Sequence, residues 1–144
     1  MLAFVRSYLC APPPAAEKLR LDLTSRYPGW LVQTLSAGSA SNGALIEMIA
    51  AQTVYSMAAG ALIAKRPEVD MLMRFAGTDQ IAEALAKVGA TGGDPYVLVV
   101  AHAGLEGPAW VPPDCARELP KRRLNSREIS RIEVAALLGA SRAR

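Results

Sequence analysis

The chain has 144 residues, 51% hydrophobic and 20% charged, which is enough to bury one core without staples and too apolar for a disordered segment. Its formal net charge of +3 hides an asymmetry: residues 117–144 hold eight Lys/Arg against three acids, residues 1–116 eight against ten. Two cysteines, Cys10 and Cys115, match no metal-ligand spacing and read as inert thiols of a reducing cytoplasm, although pairing between them stays open.

Residues 2–10, with Phe4, Tyr8 and Leu9 among β-formers, read as a first strand that Pro12-Pro13-Pro14 ends, because proline cannot donate to a ladder. Leu19 and Leu23, four apart, mark a short helix over 15–25, closed by Tyr27-Pro28-Gly29. Residues 30–35 are a second strand. The small, polar loop 37–43 supplies Ser41 or Asn42 as N-cap for a long helix over 43–64. The run 44–64 has bilayer length, but Glu47, Gln52 and its many small residues favour a buried helix over a membrane span. The N-terminus has its only charge at Arg6 and no basic n-region, so no signal peptide is expected.

The apolar run after Pro67 predicts a strand over 68–75. A helix follows over 78–88, with a buried row at Ile81, Leu85 and Val88 and Gly89 as cap. Residues 96–101 are apolar enough for a strand buried on both faces. The span 103–124 holds four prolines and reads as a long loop. The last helix opens on Asn125, with Glu128 completing a capping-box-like pair, and ends at Gly139; residues 140–144 are left as a tail. Strands alternating with helices give one α/β domain over 1–144, with a central mixed β-sheet flanked by α-helices.

Catalytic signals are missing. Neither a phosphate-binding Gly-x-x-x-x-Gly-Lys loop nor a dinucleotide-binding Gly-x-Gly-x-x-Gly occurs; the loop 37–43 is the nearest imitation, and most such loops are ordinary turns. His102 is the single histidine, at a strand end, and no signature surrounds Cys115, the partner it would need for thiol catalysis. Without acid/base pairs or a ligand cluster, no catalytic residue, metal or cofactor is assigned, and the chain is read as no enzyme. Arg74 stands within a run that otherwise reads as a buried strand, so it must reach the surface or a partner. The closing helix presents Ile129, Ile132, Val134, Leu137 and Leu138, more apolar surface than one core-facing stripe needs, and the excess points to a partner. Twelve of the sixteen basic residues are Arg, which suits bidentate phosphate or carboxylate contacts, although a GC-rich genome gives the same bias.

Over residues 67–100 the chain resembles a known family. An acidic Asp70 precedes the apolar run Met71 to Met73, then come the small-Gly pair Ala76-Gly77, Gln80-Ile81, Ala84-Leu85 and the helix end Val88-Gly89. This series resembles the small accessory subunit of the KEOPS complex, the PRPK-binding protein family of archaea and eukaryotes. The resemblance is weaker over 42–66 and faint elsewhere, apart from a Glu-then-apolar run at 133–138. One departure is Asp79, where relatives carry a basic residue.

The resemblance implies a cytoplasmic, non-catalytic subunit that binds the complex's kinase-like ATPase, meets the other subunits indirectly, and recruits tRNA by its single-stranded 3′ CCA end for threonylcarbamoyladenosine modification. On that reading Lys65, Arg66, Arg74 and Gln80 line the RNA site, and Ile129, Ile132, Leu137 and Leu138 face the kinase-like subunit; no membrane and no cofactor are involved. The alternatives are a stand-alone small-molecule-binding α/β domain, using the loop 37–43, His102 and the long loop, or a homo-oligomeric interaction module built on the last helix.

Overall fold

The computed structural model describes residues 3–104 and 109–142. Four strands form one sheet in the order β2-β3-β1-β4, where β1 is Ala3–Cys10, β2 Leu31–Ser36, β3 Tyr96–Ala103 and β4 Ala116–Glu118. All three ladders are antiparallel, with Val5 opposite Ala101, Leu35 opposite Val97 and Cys10 opposite Ala116. The expected α/β domain is what the chain forms, with antiparallel ladders where a mixed sheet was expected. Within the segment read as a long loop, β4 is a short edge strand.

Strand alternation sorts side chains into two layers. Val5, Leu31, Leu35, Val97, Val99 and Ala101 face one core; Tyr8, Cys10, Val32, Tyr96, Leu98 and Val100 face the other. The central strand β3 is buried on both faces from Tyr96 to Ala101, which explains its unbroken apolar run. The second face is covered by α1 (Ala16–Arg26) through Leu19 and Leu23, and by an aromatic group that includes Tyr27, Trp30 and Trp110. Against the first face pack α2 (Gly43–Ala58) and α3 (Pro67–Ala76); α5 (Ser126–Arg142) packs onto α2 and α3, and α4 (Ile81–Val88) lies beside α3.

Two helix C-termini lie more than a residue from expectation. Helix α2 stops at Ala58 instead of running to residue 64, because Gly60 turns left-handed at φ 68°. There the Ala61 N–H bonds the Ser56 carbonyl at 2.8 Å and the Gly60 N–H bonds that of Met57 at 3.3 Å, which is a Schellman closure. Helix α5 runs through Gly139 to Arg142, so the tail begins in a helix; residues 143–144 lie outside the described residues.

The largest correction is at 67–76, which is helix α3 and not a strand. Pro67 occupies the first turn, Glu68 and Asp70 complement the positive helix start, Arg74 the end, and Gly77 closes it at φ 72°. Among the described residues no helix is long and apolar enough to cross a membrane.

Candidate nucleic-acid interface

Arg74 is where sequence and structure part most clearly. It is 2% exposed and pairs with Asp70, 0% exposed, one turn earlier on α3, its Nε donating to Asp70 Oδ1 at 2.7 Å. The remaining Arg74 donors go to Ser56 Oγ (2.9 Å), the Ala135 carbonyl (3.2 Å), Gln52 Oε1 (3.3 Å) and Asp70 Oδ2 (3.3 Å). Asp70 also accepts from Thr53 Oγ1 at 2.6 Å and from the Ile63 N–H at 2.8 Å. The pair therefore ties α2, α3, α5 and the connection between α2 and α3 together. No donor is left for a phosphate, so Arg74 drops out of the RNA-binding set. A strand would have set Asp70 and Arg74 on one face but about 13 Å apart; a helix stacks residues four apart within reach of each other.

The other three residues do converge. Lys65 and Arg66, on the connection into α3, and Gln80, the N-cap of α4, line one groove of about 610 Å3 together with Val69, Met73, Asp79 and Ile81. Lys65 is exposed and makes no ion pair or hydrogen bond among the described residues. Arg66 is held by exposed contacts to Glu68 Oε1 at 2.5 and 2.6 Å. Gln80 Nε2 donates to Asp79 Oδ1 at 3.1 Å, so the departure at Asp79 restrains the glutamine as well as adding a negative charge.

The groove carries apolar surface that the sequence reading buried. Ile81 and Leu85 are 51% and 54% exposed, because α4 turns its small row, Ala84 with Val88, toward the core. Ile81 and Arg66 also border a second hollow that continues to Leu85, Gly89 and Ala90. A cation, an amide and exposed aliphatic faces along one groove are the groups that hold an unpaired nucleotide: charge for phosphate, hydrogen bonds for base edges, apolar surface for base faces.

The partner set divides. Ile132 and Leu138 pack on the core side of α5, with the Ile132 carbonyl accepting from Gln52 Nε2 at 3.1 Å, so neither presents its side chain as a docking anchor. Ile129 and Leu137 are exposed, Leu137 at 68%, and Val134 joins them. The inward turn of α5 depends on Gly139, where a Cβ would stand 2.7 Å from the Arg74 guanidinium.

His102 and Cys115 are not brought together as a catalytic pair. His102 stacks on Trp30, with ring centroids 5.0 Å apart, near one end of β3, whereas Cys115 lies beside Cys10 and Tyr96 at the other. Burial first, then the neighbouring Cys115 thiol, pushes the Cys10 thiol well above its ordinary value, which leaves it unreactive. Among the described residues no group of three or more His, Cys, Asp or Glu is placed to hold a metal.

Sequence reasoning gave no role to the aromatic group on the second face. Trp110 Nε1 donates to Tyr8 Oη at 2.6 Å, and the Val111 N–H donates to Tyr27 Oη at 3.2 Å, fastening the proline-rich segment to the sheet. Tryptophan beside prolines was the available signal. No protein-family model matches this chain, and no curated protein does.

Proposed function

We propose that the protein is a non-catalytic adaptor of the KEOPS accessory-subunit type, binding the single-stranded 3′ end of tRNA in the groove at Lys65, Arg66 and Gln80. It docks a kinase-like ATPase subunit through the exposed residues of α5. The observation that carries the reading is that the Lys65-Arg66 pair and Gln80, from two segments of the chain, share one groove with the exposed side chain of Ile81. The Gln80-Ile81 pair is also part of the series that resembles the family. Arg66 must leave Glu68 to reach a phosphate, a small loss because exposed ion pairs contribute only about 0–1 kcal/mol. Asp79 lowers the local charge, so the site relies on Lys65 and on base contacts more than on bulk attraction.

The test is tRNA binding by Lys65→Glu and Gln80→Ala across a salt series. If Lys65 meets one phosphate of a single strand, its loss flattens the log–log salt slope by about 0.7. Gln80→Ala should weaken binding without changing the slope, because it touches no phosphate in this arrangement. Unchanged affinity and slope in both variants would contradict the reading.

A further inference from the structure

A second cavity, of about 720 Å3, lies between the loop at 37–41 and the start of α5, and shares no lining residue with the groove above. Its charged groups are Arg127, Arg131 and Glu128. Arg131 is partly buried, and its two Nη atoms donate to backbone carbonyls, of Ser39 at 2.7 Å and Phe75 at 2.9 Å. Those bonds fix the guanidinium without neutralising it. Burial, opposed in part by Glu128, lowers its pKa from the ordinary arginine value, as expected for a positive charge taken out of water.

Arg127 is exposed and makes no ion pair or hydrogen bond among the described residues. Arg122 reaches in from the preceding segment, its Nη2 donating to Ser41 Oγ at 3.2 Å. The single carboxylate, Glu128, is already engaged: its Oε1 accepts from the Asn125 N–H at 3.0 Å and from Asn42 Nδ2 at 3.4 Å. Two guanidinium groups thus line the cavity with one carboxylate, a third is hydrogen-bonded to Ser41 at its edge, and Ser39, Ser41 and Ser130 add short hydroxyl side chains.

We propose that this cavity is a phosphate-binding site, in which Arg127 and Arg131 clasp the phosphate, Arg122 closes the rim, and the serine hydroxyls hydrogen-bond its oxygens. The planar guanidinium fork matches a phosphate in two parallel bonds, and an arginine already held in place loses little freedom on binding. The small residues of the loop leave room for the group attached to the phosphate. That group is a small molecule or a nucleic-acid strand, and the shared chemistry is the phosphate itself.

Calorimetric titration of the full chain distinguishes the two sources. The probes are inorganic pyrophosphate, AMP and a single strand of about ten uridylates, a length within the range that such single-strand sites span. The proteins are the parent, Arg127→Glu, Ser41→Asp and, as a charge-matched control away from the cavity, Lys18→Glu. Arg127 and Ser41 are exposed, so both variants should fold, with circular dichroism melting as the check. Pyrophosphate or AMP should bind the parent, bind at least about tenfold more weakly to Arg127→Glu and to Ser41→Asp, and bind Lys18→Glu unchanged. Binding of the oligonucleotide alone, weakened by the same two variants, supports the site and assigns its phosphate to a strand. Absence of binding by all three probes at millimolar concentration overturns the proposal. So does binding that the two variants leave unchanged.

Discussion

At the scale of single residues, the fold depends heavily on one ion pair. Arg74 and Asp70 are both out of water, and together they complete the hydrogen bonding of Thr53, of Ser56 and of the backbone at Ile63 and Ala135. Removing one member leaves the other buried and uncompensated, which costs about 3–5 kcal/mol. Arg74→Met should lower the urea midpoint accordingly, and Arg74→Lys should not restore it, since one ammonium cannot serve partners on three helices. A variant as stable as the parent would return Arg74 to the list of functional residues. A different dependence belongs to Cys10 and Tyr96. Burial raises the Cys10 thiol above its ordinary 9.0 and the Tyr96 hydroxyl above 10.0, with the nearby Cys115 adding to both. The folded state therefore keeps protons that the unfolded chain gives up. Stability is whole below the unfolded-state thiol pKa and falls as pH rises through about 9 and upward. Urea midpoints measured from about pH 7 to about pH 10.5 should show this fall, and Cys10→Ala should delay its onset. A flat alkaline profile would refute the assignment.

At the scale of elements, the legible ones were those whose periodicity and punctuation agreed. Strands β1, β2 and β3 alternate or run apolar between prolines and glycines, and α5 opens on the Asn125–Glu128 capping box, with bonds of 3.0 and 2.9 Å in the two directions. Asn42 caps α2 as its type allows, accepting from the Ala44 N–H at 3.0 Å. Helix α3 was misread because Met71 and Phe75 fill the gaps between Val69, Leu72, Met73 and Ala76, so a run with helical spacing looked continuously apolar; that spacing and the boundary residues Pro67, Asp70 and Gly77 held the information. Helix α4 was found but rotated: Ala84 is small enough to face α3, and that choice puts Ile81 and Leu85 outside. The same reasoning divides α5. Ile132→Asp should destabilise the domain, because its side chain packs against the core. Ile129→Asp and Leu137→Asp should leave melting unchanged and abolish capture of a kinase-like subunit, as truncating a central anchor commonly costs more than about 2 kcal/mol. Normal capture by both surface variants would move the interface off α5.

At the scale of the whole molecule, the antiparallel sheet separates two surfaces with different chemistry. One layer holds the aromatic group that pins the proline-rich segment; the other gathers α2 to α5 around the buried ion pair and carries both candidate sites on its outer side. The groove could be read in part from sequence, since Lys65, Arg66 and Gln80 were singled out and do come together. Arg74 was placed there by the resemblance and by a strand reading that left it no partner nearby, and Ile81 was left out because its helix was expected to bury it. The cavity at α5 was not legible, because the loop 37–41 and Arg131 are about ninety residues apart in sequence and meet only through the fold. The central claim is that the groove at Lys65, Arg66 and Gln80 accepts the unpaired 3′ end of tRNA. The most direct test compares binding of one tRNA with and without its terminal CCA. The account predicts that trimming weakens binding and leaves the remaining affinity insensitive to Gln80→Ala; equal binding of trimmed and intact tRNA would contradict it.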